Sequence, residues 1–251
     1  MSPRLHPDFL TKPLAHRGLH DVSDGRPENS RAAIRAAIEK GYGVEIDLQL
    51  SADEHPMVFH DYTLDRLTSK KGPVAMQVAQ DLSSISLTGG DEGIPTFAEV
   101  LDLVSGQVPV LVELKDQDGA MGNNVGPLEK AVATLLSNYD GPVAVMSFNP
   151  NSVARMAEFA PKVARGIVTS SYAYADWPFG RDVCDRLRSI PDFDRVEASF
   201  ISHEMADLER PRVAELKESG VDILCWTVKS AEQEALARKV AQNITFEQYL
   251  A

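Results

Sequence analysis

Short apolar runs with strand character alternate with helix-forming segments along nearly the whole 251-residue chain. The strand-like runs begin at Leu14, Gly43, Val108, Pro142, Val163, Val196, Asp222 and Asn243. Between them lie segments that predict helices. Ser30 stands as an N-cap before the Ala-rich RAAIRAAIEK, which Gly41 stops, and further helices are expected at Leu128–Leu136, Ser152–Phe159, Met205–Glu218 and Ala231–Lys239. A strand–helix–strand rhythm requires parallel pairing through helical crossovers, and eight such strands in about 250 residues is the count of a closed (β/α)8 TIM barrel. An open doubly wound sheet is the weaker alternative, because no Gly-rich phosphate fingerprint follows the first strand.

One run breaks the rhythm. Pro56–His60 starts only a few residues after Gly43–Leu50, too soon for a crossover, so it must fold back as an antiparallel hairpin. The stretch 61–107 is then long for a single connection and predicts a small insertion with structure of its own, including a helix at Phe97–Val104. The chain therefore reads as one barrel domain over 1–251, with an insertion at about 61–107 following the hairpin.

With 25 Lys and Arg against 37 Asp and Glu, the formal charge is −12. Nucleic acid and anionic membrane surfaces are excluded as main partners, since they would repel most of the surface. No apolar stretch approaches the ~20 residues that span a bilayer, and MSPRLHPDFLTKP lacks the apolar region of a secretory signal. These features predict a cytoplasmic protein without a stable membrane anchor; oligomeric state is not legible. Cys184 and Cys225 read as buried thiols rather than a metal or disulfide framework. His6, His55 and His203 lack partner patterns and read as surface residues, with His20 at most on the rim of a site.

Chemistry concentrates where a barrel places it, at the C-terminal ends of strands. His16-Arg17-Gly18 follows the first strand, Glu45 and Asp47 lie on the second, Glu113 and Lys115 close the third, and the hairpin return ends in His60-Asp61. In GVEIDLQL, Val44, Ile46 and Leu48 occupy one face and Glu45 and Asp47 the other; VLVELK separates Val112 and Leu114 from Glu113 and Lys115 in the same way. The apolar face must pack against the outer helices, so the charged face points into the barrel. Buried carboxylates need a cation to offset their desolvation. Glu45, Asp47 and Glu113 are hard oxygen ligands suited to Mg²⁺ or Ca²⁺. Two histidines beside such a cation, with Arg17 and Lys115 to hold phosphoryl oxygens, constitute equipment for phosphodiester cleavage.

HRG at 16–18, PENS at 27–30, EIDLQL at 45–50, VFHD at 58–61, LDRLT at 64–68, IPTFAEVL at 94–101, VELK at 112–115 and CWTV at 225–228 together resemble the glycerophosphodiester phosphodiesterase family. The resemblance implies a (β/α)8 barrel with a small insertion and hydrolysis of a small glycerophosphodiester to sn-glycerol 3-phosphate and an alcohol. It further implies His16 and His60 as acid–base pair, Glu45, Asp47 and Glu113 as metal ligands, Arg17 and Lys115 as phosphate contacts, and Trp226 at the substrate mouth. Which histidine is base, and whether a cyclic phosphate or direct water attack is used, stays open. Glu28 could reach the site, while Asn29 and Ser30 read as fixing the helix start. Three departures stand out: Asp53-Glu54-His55-Pro56 where relatives have a Gly turn, Lys229 where Asn is common, and Thr245-Phe246-Glu247 where Thr-Asp is common. The last two leave the leaving-group end of the pocket unread. A phospholipase-like activity on lysolipids or phosphoinositides is the enzymatic alternative, kept by the apolar Leu82, Ile85, Leu87 and Ile94 of the insertion; a non-catalytic glycerophosphate-binding barrel is the alternative of another class.

Overall fold

The computed structural model describes residues 2–251. Among these residues, nine strands run in chain order: β1 Leu14–Ala15, β2 Gly43–Leu50, β3 Pro56–Val58, β4 Val110–Leu114, β5 Val143–Ser147, β6 Ala164–Thr169, β7 Phe200–Glu204, β8 Asp222–Val228 and β9 Asn243–Phe246. Eight of them pair in parallel, and β1 pairs with both β2 and β9, so the sheet closes on itself. The remaining strand, β3, lies antiparallel on β2 with Leu48 opposite Val58. This is the (β/α)8 barrel with a hairpin after the second strand that the rhythm predicts.

Side-chain alternation divides the apolar residues into two cores. Val44, Ile46 and Leu48 of β2 and Val110, Val112 and Leu114 of β4 pack outward against helix residues such as Ile34, Val100 and Val132. Leu111, Ala144, Val168, Phe200 and Leu224 fill the lumen, joined by Leu5 and Phe9 of the N-terminal segment. A Cβ at Gly166 would lie 2.4 Å from the Phe200 ring, so glycine there lets Phe200 occupy the lumen. The rest of the lumen is polar: Glu45, Asp47 and Glu113 alternate with the outward-facing apolar residues and are all buried.

Several boundaries differ from the sequence reading. The sequence predicts a strand from Val196, but β7 begins at Phe200. Residues 192–199 instead turn tightly, with Val196 N–H bonded to the Asp192 carbonyl and Glu197 at φ +50°. The helix expected over Met205–Glu218 is split into a 3₁₀ turn at Met205–Asp207 and a helix at Pro211–Glu218. Pro211 lacks an N–H and drives Arg210 to an extended ψ of 134°, which ends the first piece. A helix at Arg181–Arg188 was not legible, because it buries only Cys184 and Leu187, with Val183 packed partly beside them, and the rest is charged.

The stretch 61–107 holds a 3₁₀ turn at Val74–Met76 and helices at Ala79–Ser83 and Phe97–Val104. Thr96 and Glu99 close a capping box at the start of the last of these. Leu82, Leu87 and Ile94 are buried with Met57 and Phe59 in a small separate core, with Ile85 packed on it. These side chains, which on sequence grounds kept a lipid-facing role alive, point inward instead.

His203 is not a surface residue. It lies on the outward face of β7, fully buried, with Thr169 Oγ1 2.7 Å from Nδ1 and the Asp207 carbonyl 3.1 Å from Nε2. Those contacts suit the neutral ring with Nε2 protonated. Burial pushes its pKa below the usual imidazole value, against the opposing pull of Asp207. The unfolded chain takes up this proton near pH 6.5, whereas the folded state resists it. The contribution to stability is therefore full above about pH 6.5 and is lost as pH falls through the folded pKa. Urea midpoints at pH 7.5 and 5.5 should show a larger acid loss for the wild type than for His203→Gln; equal losses would refute the assignment.

Candidate active site

The chain leaves β1 in a tight turn, with Arg17 at φ +55° and Gly18 at φ +76°. A Cβ at Gly18 would meet the Ala33 backbone at 2.9 Å, so only glycine seats this turn on the helix Arg31–Glu39. The turn delivers His16 and Arg17 to the mouth of the lumen. On β2 and β4, Asp47 stands in register with Glu113, and Glu45 lies two residues before Asp47 on the same face. Oxygens of Glu45, Asp47 and Glu113 come within 4.8 Å of one another.

Their charge is only partly offset. Lys115 Nζ lies 2.8 Å from Asp47 Oδ1 and 2.6 Å from Glu113 Oε1, and Arg17 Nε is 3.4 Å from Asp47 Oδ2. Asn29 donates to Asp47 at 2.9 Å. Burial opposes ionisation of Asp47, but Lys115, His60 and Arg17 hold its pKa well below the usual range. Burial likewise disfavours a charged Lys115, and Asp47 and Glu113 overcome it. Glu45 is different. It accepts the Arg17 backbone N–H at 3.1 Å, and burial together with Asp47 and Glu113 pushes its pKa well up. Two cationic side chains thus face three buried carboxylates. A divalent cation would supply the missing positive charge, and three carboxylates are a hard-oxygen donor set for Mg²⁺ or Ca²⁺.

Both histidines carry a carboxylate on Nδ1. His16 Nδ1 is 2.7 Å from Glu247 Oε2, with Nε2 4.0 Å from Glu45. His60 Nδ1 is 2.7 Å from Asp61 Oδ1. Burial lowers the His16 pKa against the raising effect of Glu247. Hydrogen bonds from His16, His20 and Lys229 outweigh burial at Glu247 and hold its carboxylate far below the ordinary value. Asp61 also binds Arg66, which reaches Glu28, and Glu28 holds Arg17 Nη1 at 2.6 Å.

His16, Arg17, Glu45, Asp47, His60, Glu113, Lys115 and Trp226 therefore line one cavity of about 100 Å³, the same eight residues that the sequence singles out. Glu28 stands behind Arg17, and Ser30 caps the helix. The reading of Asn29 as only a helix-start residue is corrected by its bond to Asp47. Glu247, which the sequence reading noted only as a departure, is the carboxylate that contacts His16 and His20. The departures Lys229 and Glu247 form an ion pair at 2.8 Å, and Glu247 contacts His16 and His20, so they bear on His16. They do not line the cavity that opens beyond His60.

Residues 16–243 match the Glycerophosphoryl diester phosphodiesterase family. The chain belongs to this family. As a member it is a phosphoric diester hydrolase, and every residue of the cavity named above lies within the matched span. It is 29% identical over 227 residues to a glycerophosphodiester phosphodiesterase of Caldanaerobacter subterraneus subsp. tengcongensis, covering 87% of this chain and 86% of that one. It also resembles a phosphodiesterase of Oleispira antarctica solved in complex with the product sn-glycerol-3-phosphate, with 25% identity, a TM-score of 0.76 and coverage of 96% and 94%. A glycerophosphodiester phosphodiesterase from Agrobacterium tumefaciens has the same fold, at 24% identity, a TM-score of 0.69 and coverage of 94% and 96%. Glu247 lies beyond the span that the family match covers.

Proposed function

We propose that the chain hydrolyses glycerophosphodiesters to sn-glycerol 3-phosphate and an alcohol, using His16 and His60 as an acid–base pair and a divalent cation on Glu45, Asp47 and Glu113. The observation that carries this is the meeting of two carboxylate-bound imidazoles with a charge-deficient cluster of three carboxylates in one cavity. Mg²⁺ or Ca²⁺ held there would act as a Lewis acid on the phosphoryl group and ease deprotonation of the nucleophile.

The protein's own groups do the rest. Arg17 binds phosphoryl oxygens, and Lys115 joins it once its charge is no longer needed between Asp47 and Glu113. Glu247 accepts the Nδ1–H of His16 and fixes the tautomer with a free Nε2, ready to take a proton from the nucleophile. His60 lines both this cavity and the larger one beyond it, so it is placed to protonate the departing alkoxide. The nucleophile is a glycerol hydroxyl, giving a cyclic phosphate that water then opens, or water directly; appearance of a cyclic glycerophosphate during turnover separates the two.

The direct test is release of sn-glycerol 3-phosphate from glycerophosphocholine and glycerophosphoethanolamine with EDTA, Mg²⁺ or Ca²⁺. Cation-dependent release is expected, and no release under any condition refutes the reading. Glu247→Gln keeps an acceptor and removes the charge. We expect kcat to fall about 10- to 100-fold, part of what acid–base catalysis contributes, with KM near the wild-type value. An unchanged kcat would remove Glu247 from the mechanism.

A further inference from the structure

Beyond His60 the active-site cavity opens into a second hollow of about 570 Å³. His60, Glu113, Lys115 and Phe148 line both, so the two spaces adjoin on the His60 side. Its far wall comes from the loop 170–180 after β6, where Trp177 and Phe179 flank Pro178. Their rings stack with centroids 5.7 Å apart at 27°. Phe148, at the end of β5, lies 5.1 Å from Trp177 and 5.5 Å from Trp226, so an aromatic chain runs from the phosphate site into the hollow. Tyr62 lines the same hollow.

The charges in this wall favour a cation. Asp116 accepts hydrogen bonds from the Asp118 and Met121 backbone N–H groups and the Asn149 amide, all neutral donors, and makes no ion pair among the described residues. Asp61 adds a carboxylate, shared with His60 and Arg66. Lys115, the cation that lines the hollow, is engaged by Asp47 and Glu113. Aromatic rings beside a carboxylate without a cationic partner suit a positively charged group that offers methyls rather than N–H donors. A primary ammonium would find few acceptors on those rings, and an anionic head group would meet Asp116 and Asp61.

Taking the proposed reaction as the frame, we infer that this hollow is the leaving-alcohol subsite and that it selects a quaternary ammonium alcohol, as in a choline phosphodiester. Trp177 and Phe179 hold the trimethylammonium group, and Asp116 complements its charge. Anionic head groups are discriminated against.

The experiment compares kcat/KM for glycerophosphocholine, glycerophosphoethanolamine, glycerophosphoserine and glycerophosphoglycerol in the wild type, Trp177→Ala and Trp177→Phe. It also measures binding of choline and tetramethylammonium directly by calorimetry. We expect the wild type to favour the choline ester over the glycerol ester about tenfold or more. Trp177→Ala should lower kcat/KM for the choline ester about tenfold relative to that for glycerophosphoglycerol, and Trp177→Phe should restore part of that preference. Lysophosphatidylcholine carries the same head group: turnover confined to glycerophosphocholine assigns the water-soluble diester, and equal turnover assigns the lipid; both support the pocket. Hydrolysis without head-group preference, or an equal loss for all esters in Trp177→Ala, overturns the inference. If choline binds the wild type and not Trp177→Ala while no diester is cleaved, the subsite stands and the proposed reaction fails.

Discussion

Replacing His60 by alanine is expected to lower kcat for glycerophosphocholine by about 100- to 10,000-fold, the range that a positioned acid–base group contributes. His16→Ala should do the same. Neither should cost much stability, because both rings lie at the polar mouth of the barrel rather than in either apolar core; unfolding midpoints within a few degrees of wild type would show it. The two variants should differ with an activated aryl diester of glycerol phosphate. Its leaving group departs without a proton, so a lost acid matters little and a lost base matters as before. If His60 is the acid, His60→Ala should recover most of its activity on that ester and His16→Ala should not. The opposite pattern would exchange their roles, and near-wild-type turnover of the choline ester by either variant would refute its assignment.

The second large effect is expected at Glu45. EDTA should abolish turnover, and Mg²⁺ or Ca²⁺ should restore it. In Glu45→Gln the cation concentration for half activity should rise by about tenfold or more, as expected on weakening a metal site. Thermal unfolding gives a reading independent of activity. A cation that binds only the folded state raises the midpoint with concentration, and Glu45→Gln should reduce that rise. In EDTA the same variant should unfold at an equal or higher temperature than wild type, because it removes a carboxylate crowded by Asp47 and Glu113. Full activity in EDTA, or an unchanged cation requirement in Glu45→Gln, would place the metal elsewhere or remove it.

These expectations rest on residues that were legible in the chain for a definite reason. A strand shows its two faces in alternate residues. Val44, Ile46 and Leu48 had to be the helix-facing side of β2, and this sent Glu45 and Asp47 into the lumen. The same parity placed Glu113. His16 was legible because it follows β1 directly and so stands at the C-terminal rim, and His60 because it ends the hairpin return on β2. Local chemistry also located the hairpin and the capped helix after Thr96. It failed where tertiary context overrides it. His203 reads as a surface residue in sequence, yet Thr169 on the neighbouring strand and Asp207 on the following turn satisfy both ring nitrogens and allow its burial. Val196 and Ala198 are apolar because they pack into the outer core from a turn, not because they form a strand.

By itself, then, the sequence determined the barrel, the inward carboxylates and the two rim histidines, all consequences of periodicity and strand order. Only the tertiary structure decided what orients His16. Glu247 is 231 residues away in the chain, and nothing local to either residue pairs them. Closure of the barrel pairs β1 with β9 and sets Ala15 opposite Phe246. The residues that follow, His16 and Glu247, are thereby brought together on one rim. In the same way, the packing of the loop 170–180 against Phe148 assembled an aromatic wall from residues with no periodic relation to one another. Long-range register and loop packing depend on where the chain closes, and no local pattern encodes that.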